Sequence, residues 1–239
     1  MKAIVMALGW DVVVQARNGF YWATAFVVLA VGGLLLALPE AARANHAAWV
    51  PALVATNLQI TTFFFAVALI LLERDEGTLA ALAVTPMASA TYIAMRTTTL
   101  TALAAAETGA IVWIAFGTPE SWPPVLVGTV AMGAIYTGFG LAVASRYDSL
   151  NGLLLPASAF VALLLLPLLP HFGLVPRAPM LFHPIEPPLA LVRAGYVPAS
   201  PGELGYDVIG SATWSVLAFL WGRHQVRRLM HDTATRGGR

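Results

Sequence analysis

The chain has 239 residues, of which 59% are hydrophobic and only 10% charged, with a formal net charge of +1 and no cysteine. A soluble domain carries about 25% charged residues, so the bilayer rather than water is the solvent for most of this surface. Disulfide frameworks and thiolate metal sites are excluded, and there is no basic stripe for nucleic acid.

The chain opens with residues 2–18, KAIVMALGWDVVVQARN. Apolar residues mix there with Asp11, Gln15 and Arg17, and Trp10 suits an interfacial depth. This pattern predicts an amphipathic helix lying on the membrane surface; the alternative is an extension of the first span. Six apolar spans follow: Phe20–Leu38, Ala48–Leu72, Tyr92–Gly117, Val125–Ser145, Leu153–Leu169 and Tyr206–Trp221. Each is long enough to cross ~30 Å of hydrocarbon as a helix, and the continuous runs argue against an alternating strand barrel. The segment ALPEAARA has the small-x-small look of a signal-peptide cleavage site. The run before it has span length rather than signal length, so a span is expected.

One set of flanks holds Lys2, Arg17, Arg74, Arg96, Arg146, Arg223, Arg227, Arg228, Arg236 and Arg239, and the other holds Arg43, Arg177 and Arg193. The excess assigns the first set to the cytoplasm and, with an even number of spans, both termini with it. The stretch LLERDEGTLAALAVTP, residues 71–86, then lies on the cytoplasmic side. Its four consecutive charges, Glu73, Arg74, Asp75 and Glu76, suit a solvated turn. They also suit a short surface helix with an acidic entrance, built for docking another protein. Leu79, Leu82 and Val84 make the stretch after the charges partly apolar, Ala80, Ala81 and Ala83 favour helix, and Thr85-Pro86 is a good start for the next helix. The fourth span is rich in glycine and alanine, as close helix contact requires. Residues 171–204 carry seven prolines yet stay apolar. Irregular backbone at membrane depth persists only where protein or a watery cavity covers it, so broken helices dipping into the outer leaflet are expected.

The segment ERDEGTLAALAVTPMASATYIAMR resembles the cytoplasmic segment of the type 2 ABC transporter permeases. The matching positions are Glu73, Arg74, Asp75, Gly77, Thr78, Leu79, Leu82, Thr85, Pro86, Tyr92 and Arg96. Asp75 stands for the usual second Glu, and Arg96 for the usual Lys. ALGWDVVVQARNGFY and FGLVPRAPMLFHPIEPPLALV resemble the fluoroquinolone-export permeases within that family. The resemblance implies an all-α, six-helix permease domain in a bacterial inner membrane, with re-entrant extracellular helices between spans five and six. It implies that two such permeases, identical or related, form the pore. It implies an ATPase subunit pair that holds ATP and Mg. Glu73–Thr85, with Glu76 inside it and Pro86 following, would be the coupling helix seated on an ATPase.

The missing chemistry agrees. No Gly-x-x-x-x-Gly-Lys-Ser/Thr phosphate loop exists, and Lys2 is the single lysine. Neither a catalytic constellation nor a resident cofactor is expected in this chain. His183 and Glu186 are three apart, but Pro184, Pro187 and Pro188 break any helix that would align them on a metal. Glu107 lies eleven residues past Arg96, ~16 Å along a helix, where a carboxylate is expensive. It is read as a substrate contact, a proton site, or a tie to Thr98, Thr99 or Thr101 of another protomer. Asn57, Gln59, Thr61 and Phe64 are candidate cavity residues beside it, against plain packing. Two other function classes use Glu107: a proton-coupled secondary transporter, and a lipid-modifying membrane enzyme with Glu107 or His183 as base. The enzyme lacks a paired acid and base.

Overall fold

The computed structural model describes residues 2–83 and 89–237, and among these every regular element is helical. In chain order they are α1 (Lys2–Arg17), α2 (Phe20–Ala37), α3 (Glu40–Arg43), α4 (His46–Leu58), a π-helical turn (Gln59–Phe64) and α5 (Phe65–Asp75). The short α6 (Thr78–Ala83) and the long α7 (Ser89–Phe116) and α8 (Trp122–Ala144) follow. Then come α9 (Leu150–Leu164), α10 (Leu168–His171), a 3₁₀ turn (Ala178–Met180), α11 (Glu186–Ala194) and α12 (Pro201–Gly237).

Among the described residues, five stretches are long and apolar enough to cross a membrane: Phe20–Ala37, His46–Asp75, Ser89–Phe116, Trp122–Ala144 and Asn151–His171. They match the first five expected spans, and the chain is a multi-pass membrane protein. The sixth expected span lies inside α12, whose 37 residues reach ~55 Å but are less apolar than the other five.

Gly19, at φ 79°, turns the chain between α1 and α2, so α1 is a separate helix and no extension of the first span. Its polarity is opposite to that of a helix turning its charges to water. Asp11 and Gln15 are fully buried, whereas Met6, Trp10, Val12 and Val13 are exposed. The reason is that α1 packs against α7, which offers polar partners.

The centre of the bundle is α8. Of its apolar window 72% is buried, against 11% for α2 and 22% for the α9–α10 stretch, so those two are peripheral. Small residues let each neighbour approach α8 closely. A Cβ on Gly133 would lie 2.5 Å from the Thr101 side chain of α7, and one on Gly138 2.8 Å from the Ala218 carbonyl oxygen of α12. On Gly140 it would lie 2.7 Å from the Phe63 carbonyl oxygen of the π turn. An aromatic cluster closes the remaining seams: Phe139 meets Phe160 of α9 and Trp221 of α12 edge-on, each at 5.5 Å between centroids.

These contacts predict that Gly138→Leu separates α8 from α12. Overpacking costs about 1–3 kcal/mol and more where backbone is the obstacle, so the thermal unfolding midpoint in detergent should fall by several degrees. Gly109→Ala, into open space, should leave the midpoint unchanged or raised.

Candidate functional site: buried polar ties at both ends of the bundle

At the arginine-rich end three helices converge on one guanidinium. On α7, Tyr92, Arg96 and Thr99 follow at i, i+4 and i+7 and so share a face. Arg96 is fully buried, and its Nη1 donates to Asp11 of α1 while its Nη2 donates to Glu73 of α5. The Tyr92 hydroxyl donates to the other Glu73 oxygen at 2.6 Å, and its ring lies 5.3 Å from the guanidinium carbon. Thr99 donates to Asp11, and Gln15 Nε2 donates to Asp11 at 3.0 Å and to Thr99 Oγ1 at 2.9 Å. Two buried carboxylates share one cation, and hydroxyl and amide donors satisfy much of what remains. Such burial persists only with good pairing of this kind.

Arg74, next in sequence to Glu73, points the other way. Its guanidinium donates to the backbone carbonyls of Tyr147 and Ser145 and pairs with Asp148 at 3.2 Å. It thereby caps the C-terminus of α8, where the helix dipole favours a cation. Of the four consecutive charges, two anchor the end of α5 inside the bundle, while Asp75 and Glu76 are exposed. The expectation that Glu73 belongs to an exposed acidic rim is corrected: its side chain is only 7% exposed because Arg96 and Tyr92 hold it inward. Gly77, at φ 70°, then turns the chain into α6. Leu79 of α6 is buried and Leu82 partly so, with α6 resting on α5 and α12. Thr78 opens α6 and is half-buried. Thr85 and Pro86 lie outside the described residues.

Midway along α7, Glu107 is buried and accepts from Thr61 Oγ1 of the π turn at 2.9 Å. Thr24 of α2 and Asn57 of α4 flank the carboxyl, and Asn57 Nδ2 donates to Thr108 at 2.8 Å. Within this chain the partner of the carboxylate is Thr61. Gln59 turns away and donates to the Val161 carbonyl of α9 at 2.8 Å. Phe64 packs edge-on against Phe63 at 5.4 Å. Asn57, Thr61 and Glu107 are thus brought together, and Gln59 and Phe64 are not part of that cluster.

At the opposite end, Arg177 forks between Glu186 of α11 and Asp207 of α12, both buried. Burial raises the Glu186 carboxyl above its ordinary range, and Arg177 offsets part of that. His183 sits between the Leu163 carbonyl, 3.1 Å from Nε2, and the Ile185 N–H, which donates to Nδ1 at 3.2 Å. Both ring nitrogens thus have backbone partners, with Nε2 carrying the proton. Among the described residues no cluster of three or more metal-ligating side chains occurs. Sequence reasoning missed the Asp11–Arg96–Glu73 tie and the Arg177 fork. The i, i+4 pair Asp11 and Gln15 in an otherwise apolar helix was the available signal for the first.

The model of the fluoroquinolones export permease protein family matches residues 2–232. The fluoroquinolones export permease proteins of two Mycobacterium tuberculosis strains are each 26% identical over 236 residues, covering 95% of this chain and 98% of theirs. No solved structure matches.

Removing one partner of a buried charge pair costs about 3–5 kcal/mol. Arg96→Gln should therefore abolish accumulation of folded protein or lower its unfolding midpoint by more than any surface Arg→Gln change, as read by fluorescence-detected size exclusion and thermal unfolding. For Glu107, a hydrogen-bonded tie predicts that Gln is tolerated and Leu is not. Glu107→Gln should keep the wild-type midpoint and transport across pH 6–8, while Glu107→Leu should lose stability. A Gln variant that is stable but inactive would instead give the charge a direct role.

Proposed function

Because the chain belongs to the fluoroquinolones export permease protein family, we propose that it is the membrane subunit of an ATP-driven ABC exporter moving an amphipathic drug or lipid-like substrate outward. In this reading α12 supplies the sixth crossing, the arginine-rich end and both termini face the cytoplasm of a bacterial inner membrane, and α10 to α11 form the re-entrant outer segment. ATP and Mg reside on a separate pair of ATPase subunits, and a second permease copy or a related permease completes the pore.

The observation that carries the reading is the construction around α6. A short helix with Asp75 and Glu76 exposed at its entrance follows an α5 end that is clamped from inside, Glu73 to Arg96 of α7 and Arg74 to the carbonyls at the end of α8. Force applied to α6 reaches three helices through side chains that are already paired. That is the arrangement a coupling helix needs: a surface for the ATPase outside and stiff ties inside. An exporter also accounts for a buried Glu107 held by Thr61, beside which Asn57 and Thr24, not a second acid or base, stand among the described residues.

The test uses the permease with its ATPase in proteoliposomes. Glu76→Ala should weaken the stimulation of ATP hydrolysis by transported drug severalfold, as loss of a rim charge does at an interface. Gly77→Pro should abolish stimulation, because proline cannot adopt the positive φ of Gly77. Wild-type stimulation in both variants would remove α6 from the coupling path.

A further inference from the structure

A polar cavity lies beside the ends of α5, α8 and α12, at the face assigned to the cytoplasm. Its volume is about 400 Å³ and its lining includes Arg74, Arg146, Asp148, Gln225, Arg228 and Asp232. This falls within the about 300–1,000 Å³ usual for small-molecule sites. The three arginines are not equivalent. Arg74 is engaged by the α8 carbonyls and Asp148. Arg146 lies 5.5 Å from the Trp221 ring, and with the Gln225 amide turned so that its oxygen faces the guanidinium, Gln225 accepts from Arg146 at 3.0 Å. Among the described residues neither Arg146 nor Arg228 joins an ion pair. The two acids do little to offset them, since the side chains of Asp148 and Asp232 are 90% and 69% exposed.

The surroundings add an apolar half to this site. Leu217, Trp221, Gln225 and Arg228 follow at i, i+4, i+8 and i+11 on α12 and so lie along one side of the helix. Leu217 and its neighbour Leu220 are exposed. An indole at the boundary between an apolar strip and a charged cavity is the arrangement found at headgroup depth. A free phosphate would use the arginines alone; a phospholipid would use both halves.

We propose that this cavity binds the phosphodiester headgroup of an anionic phospholipid of the inner leaflet, with Arg146 and Arg228 as its phosphate ligands and the acyl chain along Leu217. Guanidinium groups recognise phosphate oxygens through paired N–H donors. Arg146 is pre-oriented for this by Trp221 and Gln225. The site borders Arg74, one residue beyond Glu73, so bound lipid also stiffens the anchor of α6. The proposal concerns binding alone: its inner-leaflet placement rests on the orientation given under the proposed function, whereas the cavity and its arginines do not.

The test is native mass spectrometry and thermal unfolding of the purified full chain, supplied with phosphatidylglycerol, phosphatidylcholine or inorganic phosphate. Phosphatidylglycerol should be retained and should raise the unfolding midpoint by several degrees, and the other two should not. Arg228→Gln, at an exposed position, should reduce retained phosphatidylglycerol at least threefold, and Arg146→Gln with Arg228→Gln further. Arg227→Gln removes the same charge from the same helix but outside the cavity, and should behave as wild type. Equal loss in the Arg227 control would mean unspecific charge attraction and would overturn the site. So would equal stabilisation by inorganic phosphate, which would make it a free-anion site. Retention that ignores headgroup charge would also overturn it, leaving the cavity to a protein partner.

Discussion

One buried guanidinium organises the arginine-rich end of this protein. Arg96 holds Asp11 from α1 and Glu73 from α5, joining residues 85 and 23 positions away in sequence. In an apolar surrounding such a group has no alternative partners, so its geometry fixes where both helices end. The N-terminal helix cannot drift along the membrane surface while Asp11 is bound. Nor can the end of α5 fray, because Glu73 is held on one side and Arg74 on the other. The position of α6 is set by those two anchors and the turn at Gly77.

The middle of the bundle is held by a different force. Between apolar helices in lipid, hydrophobic burial gives little preference for one neighbour over another, and close packing decides. The glycines of α8 supply it, each facing a different helix. The two mechanisms are complementary in depth: ionic ties near the ends, where water limits the cost of charge, and backbone proximity at the centre, where charge is most expensive.

The same division decides how much of the protein was legible in its sequence. Five of the expected spans are visible as continuous apolar runs because lipid demands them. The short helix after the four charges was legible from Leu79, Leu82 and the alanines, and the small residues of α8 announced close contact. The inward turn of Glu73 was not legible. A carboxylate beside three other charges at a helix end reads as solvated, and only the fold brings Arg96 and Asp11 to it. Asp11 misled for the same reason: periodicity places it on a polar face but does not say whether water or another helix meets that face. The Thr61–Glu107 pair was half legible, since both residues stood out as polar in apolar spans. Their partnership within one chain depends on the π turn, whose register no apolar pattern reveals.

That π turn and α7 differ in a way that bears on how force crosses the membrane. α7 runs 28 residues with no proline, so Arg96 and Glu107 sit on one uninterrupted rod. The neighbouring stretch from His46 to Asp75 contains Pro51 and a wide π turn at its middle, both recognised points of bending. π turns also recur at functional positions. If α6 couples to an ATPase as proposed, a shift of α6 would reach Glu107 along two routes of unequal stiffness. Through Glu73 and Arg96 it moves α7 as a body. Through α5 it meets a joint at Gln59–Phe64, directly beside Thr61. The hydrogen bond between Thr61 and Glu107 bridges the stiff route and the jointed one. In the proposed exporter, relative motion of the two would fall on this contact.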